Sequence, residues 1–285
     1  MKIVVFDLDE TLGYFTEFGM FWDSLAQYMK THTLGTLTQE DFNATLDLFP
    51  EFLRPNIINI LNYLKTKKES ACCHKMMIYT NNNGPPEWTH NIVGYFDKKI
   101  NYKLIDQIIA AFKVNGKQVE ICRTTHNKTH TDFIRCTKVP ANAEICFLDD
   151  TFHPGMSNEH IYYINVKPYY HDIQFHEMLN RFLNSKVGKK IIDKSSDSSD
   201  FETTMTNLFK MYNYKCLDKD TTEHEVDEIV GKHIITHLQT FFNERSKKSK
   251  TMKRIKKEKR KKRKGKIKLI KILTSINFNY IWIIN

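Results

Sequence analysis

The sequence predicts an α/β fold built on a doubly wound parallel sheet. Short apolar runs rich in β-branched residues recur along residues 1–168, and amphipathic helical patterns separate them. Buried strands that alternate with helices are typical of a parallel sheet with helices on both faces. Three of the apolar runs also end in polar groups, and the carboxyl ends of parallel strands meet at one edge of such a sheet.

Four segments have the composition of buried strands. Each is a short, nearly continuous apolar run, as expected for a strand whose two faces are both covered. They are residues 2–6, 76–79, 143–148 and 161–166.

Helical patterns fill much of the remaining chain. Residues 56–65 are amphipathic, and Pro55 suits the first turn of that helix. Residues 128–136 predict a shorter helix, and 108–121 predict a pair of strands. Beyond residue 168 the pattern changes: residues 171–184, 201–214 and 223–243 predict helices, and 194–200 predict a polar linker. We therefore divide the chain into an α/β domain at 1–168, a C-terminal helical extension at 169–244 and a tail at 245–285.

Charge is distributed unevenly along the chain. The formal net charge is +10, but residues 245–271 contain 17 Lys or Arg and the single acid Glu258. The remaining residues are therefore net acidic. Such a basic run has no core of its own and predicts a solvated, disordered tail. It suits contact with nucleic-acid phosphates, a nuclear import signal or a solubilising role.

Cysteine usage predicts an intracellular protein, nuclear or cytoplasmic. The six cysteines show no CxxC spacing, and no secretory leader precedes the first strand, so we expect free thiols. The apolar end at 272–285 is shorter than the ~20 residues that a membrane-spanning helix needs. We therefore expect no transmembrane segment, and an end that is disordered, weakly docked or held at a membrane surface. Richness in Asn, Lys and Ile is compatible with an AT-rich genome, including that of a large DNA virus or a protist.

Two acids follow the first predicted strand. Asp7 and Asp9 are two residues apart, so an extended chain directs both side chains the same way. Neighbouring carboxylates repel unless a cation separates them, and Mg²⁺ is the hard, oxygen-seeking ion that usually accompanies phosphate. Asp7 is then a candidate nucleophile towards phosphorus, and Asp9 a candidate general acid/base. The alternative is an exposed acidic turn.

Polar groups follow two further strands. Asp149 and Asp150 end the third strand, where they either complete a metal site or cap the next element. Thr80 and Asn81 end the second, where a hydroxyl and free N–H groups suit a phosphoryl oxygen. The alternative there is a plain Asn-Gly turn.

Phosphoryl transfer also requires a cation from the protein. The candidates that precede the third strand are Lys113, Lys117, Arg123, Lys128 and Lys138. Lys128 ranks first, because the helical pattern that it begins leads back into the sheet and directs its ammonium towards the acids.

These signals in this order resemble the haloacid dehalogenase (HAD) superfamily of phosphohydrolases over residues 1–168. The motifs are Asp7-Leu8-Asp9-Glu10-Thr11, Thr80, Lys128 and Asp149-Asp150. The resemblance implies an aspartyl-phosphate on Asp7, acid/base catalysis by Asp9, and Mg²⁺ bound by Asp7, the Asp9 carbonyl and Asp150, with Asp149 beside it.

Within that superfamily the chain is similar to the NLI-interacting-factor-like group, which includes RNA polymerase II C-terminal-domain phosphatases. The string DLDETL matches the opening of that group. Leu53-Arg54-Pro55 resembles its LRPG segment, with Asn56 in place of Gly. Asp149-Asp150-Thr151 followed by Pro154 resembles its DDSP segment, with Thr for Ser and two inserted residues.

Many HAD enzymes enclose small substrates under a large cap domain, inserted after the first or second motif. Residues 13–75 and 81–127 are too short for one, which predicts a HAD-like fold without a large cap and an open site. An open site favours a phosphoprotein substrate and a protein Ser/Thr phosphatase. The alternatives are a nucleic-acid 3′-phosphatase and a non-catalytic HAD-fold binding module. The aromatic residues at 18–28 predict either a wall of the site or part of the core.

Overall fold

The structure is a computed structural model that describes residues 1–193, 198–217, 219–255 and 281–284. Eight strands lie in this part of the chain: β1 (Lys2–Phe6), β2 (Lys75–Tyr79), β3 (Gln107–Ile109), β4 (Lys113–Val114), β5 (Lys117–Gln118), β6 (Glu144–Asp149), β7 (Ile161–Val166) and β8 (Ile281–Ile284). The α-helices are α1 (Thr16–Thr31), α2 (Gln39–Leu46), α3 (Ile57–Glu69), α4 (Pro86–Ile100), α5 (His130–Thr137), α6 (Phe175–Leu183), α7 (Lys186–Ile192), α8 (Ser198–Lys210) and α9 (Thr221–Ile255). Short 3₁₀ turns lie at Pro50–Phe52 and Pro154–Met156.

The main sheet has the order β3-β2-β1-β6-β7-β8. Its first five strands are parallel, and helices flank both faces, so the predicted α/β class with a parallel sheet is confirmed. All four predicted strands are present within one or two residues of their expected bounds. The chain runs from β1 outward to β2 and β3 and then returns to β6 on the other side of β1. The strand order therefore reverses between β1 and β6, which is where doubly wound sheets bind their ligands.

Alternate residues of the central strands enter two separate cores. Val4 and Phe6 of β1 pack into the larger core together with most of the helices. Ile3 and Val5 pack into the smaller core, where α5 contributes Phe133. Both faces of β1 are thus completely covered, which explains why its sequence is continuously apolar rather than alternating.

Residues 13–127 contain more helices than the sequence patterns indicated, because α1, α2 and α4 accompany α3. In particular, α4 was not predicted. Proline at the first turn starts α4, a position that tolerates its missing N–H. Residues 108–121 contain the β4–β5 hairpin as expected, although β3 joins the main sheet instead. The described residues of both intervals hold no separate cap domain, because their helices pack into the larger core.

The helical extension packs on the α/β domain. Phe201 and Met205 of α8 and Val230 and Leu238 of α9 belong to the larger core, which is continuous with the sheet. Helix α6 begins at Phe175, later than predicted, and α8 begins at Ser198, inside the stretch expected to be a linker. Residues 194–197 of that linker lie outside the described residues. No helix of the described ranges combines the length and apolar character needed to cross a membrane.

Both ends of the tail at 245–285 contain regular secondary structure. Helix α9 continues to Ile255, and β8 pairs antiparallel with β7, with Ile283 opposite Ile164. An apolar, β-branched segment satisfies the free backbone groups that an edge strand leaves exposed, which explains the added strand. The expectation of disorder is therefore wrong at residues 245–255, whereas the pairing of β8 corresponds to the docked alternative for the apolar end. Residues 256–280 lie outside the described residues.

The expectation that all six cysteines are free thiols is also wrong. Cys122 and Cys136 form a disulfide, with their Cα atoms 5.0 Å apart. Cys122 lies in the loop after β5 and Cys136 on α5, so the fold brings together two residues that no sequence motif connects. Cys72, Cys73, Cys146 and Cys216 take no part in a disulfide among the described residues.

Candidate active site

Asp7 follows β1 directly and lies at the reversal point of the sheet. Its N–H donates to the Leu148 carbonyl at 2.9 Å, so the β1–β6 ladder continues to this residue. The register aligns Phe6 with Leu148, which makes Asp7 and Asp149 neighbours on adjacent strands. Asp7 is 7% exposed. Backbone pairing thus fixes the position of one buried carboxylate beside another.

Lys128 lies between these two carboxylates. Its ammonium donates to Oδ1 of Asp7 and, at 2.7 Å, to Oδ2 of Asp149. Burial alone lowers the pKa of Lys128, but the two carboxylates together raise it above its ordinary value. Lys128 lies two residues before α5 rather than on the helix as predicted. The expected lysine is nevertheless the one that reaches the acids.

Asp149 and Asp150 are held by their backbone and by polar neighbours. The side-chain amide of Asn165 donates to both of their carbonyls at 2.9 Å. Oδ1 of Asp149 accepts from the Thr151 N–H at 2.9 Å, and Oδ1 of Asp150 accepts from the Thr11 hydroxyl at 3.0 Å. Both carboxyl groups of Asp149 and Asp150 are therefore oriented before any ligand binds.

The cluster carries more negative than positive charge. Oxygens of Asp7, Asp149 and Asp150 lie within 4.8 Å of one another, and Lys128 supplies one positive charge among them. Burial, with Asp7 and Asp150 nearby, raises the pKa of Asp149, although Lys128 opposes the shift. Burial and Asp7 also raise the pKa of Asp150. Such a cluster is stabilised by a cation, and its all-carboxylate donors suit a hard divalent ion.

Asp9 lies close to this cluster with a different set of contacts. Its Oδ2 accepts from the Asn82 side-chain amide at 2.8 Å. Burial, with Asp7 nearby, raises the pKa of Asp9 to about 6 despite the hydrogen bond from Asn82. The neighbouring Glu10 adopts the left-handed conformation, with φ of 53°, and burial raises the pKa of its carboxyl to about 7. The loop after β1 therefore carries acids that accept a proton near neutral pH.

Arg54 holds that loop from beneath. This buried guanidinium donates to the Thr11 carbonyl at 2.6 Å, to the Lys167 carbonyl at 2.8 Å and to the Glu10 carbonyl. Burial lowers the pKa of Arg54 to about 10. Three carbonyls from two loops thus converge on one rigid fork of donors, which fixes the backbone that carries the acids.

Thr80 and Asn81 follow β2 on the opposite side of β1. The Thr80 hydroxyl accepts from the Asn82 N–H at 2.9 Å, which leaves its own proton available to a ligand. Buried Arg123 donates to the Thr80 carbonyl at 3.0 Å and to Oδ1 of Asn81 at 2.8 Å. One guanidinium therefore fixes this turn, and the side-chain oxygen of Asn81 is already engaged.

A cleft of about 950 Å³ opens above these groups. All seven predicted site residues line it: Asp7, Asp9, Thr80, Asn81, Lys128, Asp149 and Asp150. Helix α1 and the start of α4 form its walls, and Tyr212 reaches it from the loop after α8. The aromatic segment at 18–28 belongs partly to the core and partly to the wall of the cleft, because Phe18, Phe21 and Tyr28 are buried while Trp22 lines the cleft.

Several residues of the site were not identified from sequence. Asn82 and Trp88 have no spacing signal, although Asn82 lies in a triple-Asn turn. Buried His153 lies 3.6 Å from Asp149, and burial, Lys128 and Arg123 lower its pKa to about 4. Tyr212 lies more than 60 residues beyond the last motif, and nothing in the local sequence connects it to the cleft.

Comparison of the chain with protein-family models, with curated proteins and with solved structures returned no match.

Proposed function

We propose that this chain is a Mg²⁺-dependent phosphomonoester hydrolase of the HAD type that works through an aspartyl-phosphate on Asp7. The observation that carries the proposal is the convergence of Asp7, Lys128, Asp149 and Asp150 at the reversal point of a parallel sheet. Asp9 stands two residues beyond the nucleophile, in the position of a general acid. Its raised pKa supports that role.

The donor set fits Mg²⁺. Lys128 occupies Oδ1 of Asp7 and one oxygen of Asp149, and Thr151 occupies the other. Among the described residues no side chain binds Oδ2 of Asp7, and the side chains that contact the carboxylate of Asp150 are the hydroxyls of Thr11 and Thr151. Asp7 and Asp150 are therefore the better side-chain ligands, and Asp149 orients Lys128. When bound, Mg²⁺ supplies positive charge to the phosphoryl oxygens.

The first step transfers the phosphoryl group to the protein. A carboxylate oxygen of Asp7 attacks phosphorus while the ester P–O bond breaks. Asp9 gives its proton to the departing oxygen, so an alcohol leaves. The Thr80 hydroxyl donates to a phosphoryl oxygen, and the buried charge of Lys128 balances the negative charge of the phosphoryl group as it becomes bonded to Asp7.

The second step returns the protein to its starting state. Asp9, now a carboxylate, takes a proton from water, and that water attacks phosphorus. The bond between phosphorus and Asp7 breaks, and inorganic phosphate leaves. The hydrogen bond from Asn82 holds Asp9 in place through both transfers.

The cleft supports a phosphoprotein substrate. It is lined by exposed residues of the turn at 81–85 and by Thr151, and it extends well beyond the space that a phosphate needs. A phosphorylated Ser or Thr on a protein segment can reach Asp7 in such a cleft, with its neighbours along α1 and α4.

Hydrolysis of p-nitrophenyl phosphate with Mg²⁺ or EDTA tests the proposal. Asp7→Asn should lower turnover by at least about a thousandfold, because the amide is not a nucleophile. Asp193→Asn, at an exposed position after α7, serves as the matched control. Mass spectrometry after acid quenching should detect phosphate on Asp7. If the wild-type chain cleaved no phosphomonoester and gained no thermal stability from Mg²⁺, a non-catalytic binding module would replace this proposal.

A further inference from the structure

The cleft continues past the reacting groups along an aromatic wall. Trp22 of α1 and Trp88 of α4 both line it and both are half-buried. The ring centroid of Trp88 lies 5.9 Å from that of Phe18 and 5.6 Å from that of Phe42. The centroids of Trp22 and Phe42 are 5.0 Å apart. Buried rings thus hold both indoles in place, so the wall is formed before a ligand arrives.

The charges beside this wall have one sign. The reacting cluster consists of Asp7, Asp9, Lys128, Asp149 and Asp150. Outside this cluster, the charged residues that line the described cleft are Glu10, Asp23 and Glu87. Among the residues that the structure describes, Lys128 is the one Lys or Arg that lines the cleft, and it is buried between Asp7 and Asp149. Its charge is therefore already balanced within the reacting cluster and does not offset the acids along the wall.

Two of these acids, Asp23 on α1 and Glu87 on α4, have no cationic partner among the described residues. Asp23 is exposed and accepts from Gln27 at 2.9 Å and from the Tyr212 hydroxyl, both neutral donors. Glu87 is exposed in the first turn of α4. The hydrogen bonds orient the Asp23 carboxylate and leave its charge uncompensated.

We infer that the preferred substrate is a phosphorylated Ser or Thr flanked by Lys or Arg, which Asp23, Glu87 and the two tryptophans recognise. The inference rests on the proposed hydrolase function and names its substrate class. A cation beside the phosphate meets two uncompensated carboxylates and two indoles that line the same cleft. A nucleic-acid end brings further phosphates to the same acids and is repelled.

Matched phosphopeptides test the inference. Three peptides share one phosphoserine and differ only in their flanking residues, which are Lys, Ala or Glu. The Lys peptide should exceed the Glu peptide about tenfold in kcat/KM, and the difference should shrink as salt is raised. Fluorescence anisotropy compares the binding affinities of the same peptides. The preference can therefore be measured even when no phosphate is released.

Charge-neutral variants locate the preference. The double variant Asp23→Asn/Glu87→Gln should reduce the Lys-to-Glu ratio to about twofold or less. Glu69→Gln, an exposed acid at the end of α3 and away from the cleft, should leave the ratio unchanged. Equal binding and turnover of the three peptides would overturn the inference, as would a 3′-phosphorylated oligonucleotide that proves the better substrate. Failure to cleave any phosphomonoester while the Lys peptide still binds best would refute the hydrolase proposal alone.

Discussion

The ammonium of Lys128 bridges Asp7, at the end of β1, and Asp149, at the end of the adjacent strand β6. Lys128 is 121 residues from Asp7 along the chain and 21 residues from Asp149. All three side chains are at least 90% buried. Without the lysine, two carboxylates would share a site that water hardly reaches, which is strongly unfavourable. The bridge therefore stabilises the fold and fixes the carboxylate that we propose as the nucleophile.

Lys128→Met should lower the free energy of unfolding by about 3–5 kcal/mol, because it leaves Asp7 and Asp149 unpaired. Urea unfolding measures the loss. Mg²⁺ should restore part of it, since a cation at the acids replaces the missing charge. Lys117→Met on the exposed hairpin is the control and should change little. Equal stability of the two variants would refute the bridge.

Arg54→Lys should lower stability by about 2–4 kcal/mol, although it keeps the charge. A single ammonium cannot reproduce the fork that binds the carbonyls of Glu10, Thr11 and Lys167. Denaturant unfolding and phosphatase assays check stability and activity together. Arg135→Lys, in a partly exposed pair with Asp132, should cost less than about 1 kcal/mol.

Glu17 should make stability fall as pH rises. Its carboxyl lies in the core and accepts from the Ile173 N–H at 2.7 Å. Burial raises its pKa from 4.5 to about 7, so the folded state binds the proton more tightly than the unfolded chain. The stability that this proton supplies is complete below pH 4.5 and is lost as pH rises to 7.

Glu17→Gln isolates this contribution, because the amide oxygen still accepts from Ile173 and carries no charge. Unfolding free energies at several values between pH 4.5 and 7.5 should fall less steeply in the variant, by roughly 2 kcal/mol over the range. Parallel curves for the two proteins would show that Glu17 does not titrate in this window.

Cys136→Ser should lower stability by about 3 kcal/mol under oxidising conditions, because the disulfide to Cys122 closes a loop of 14 residues. A reductant should produce the same loss in the wild-type chain and none in the variant. Cys72→Ser, at an exposed free thiol, provides the comparison. If reductant left the melting temperature of the wild-type chain unchanged, the disulfide would be contradicted.

Gly231→Ala should destabilise the protein by about 1–3 kcal/mol, although alanine is the better helix former. A Cβ at Gly231 on α9 would lie 2.4 Å from the Pro55 carbonyl oxygen, so α9 would have to move away from α3. Gly94→Ala on α4 meets only the flexible end of the Gln39 side chain and should be neutral or stabilising. Thermal melts of both variants test whether the extension is docked as described.

The sequence by itself determined the strands, because a fully buried parallel strand must be apolar throughout and needs no distant partner to be recognised. It also determined the acids, threonine and lysine that follow those strands or lead into them. Helix α4 was missed although its buried residues Ile92, Tyr95, Phe96 and Ile100 recur at helical spacing. Periodicity could not foresee that Ile281–Ile284 would pair with β7.

Only the tertiary structure decided which groups meet. The sheet order brings Asp7 beside Asp149, and Lys128 reaches both across long stretches of chain. The disulfide and the reach of Tyr212 into the cleft also join segments without any shared local signal. Side-chain type is a local property that a sequence displays, whereas proximity follows from packing the whole chain. The candidate site residues and the aromatic segment at 18–28 were therefore predicted, whereas the contributions of α4 and Tyr212 to the cleft were not.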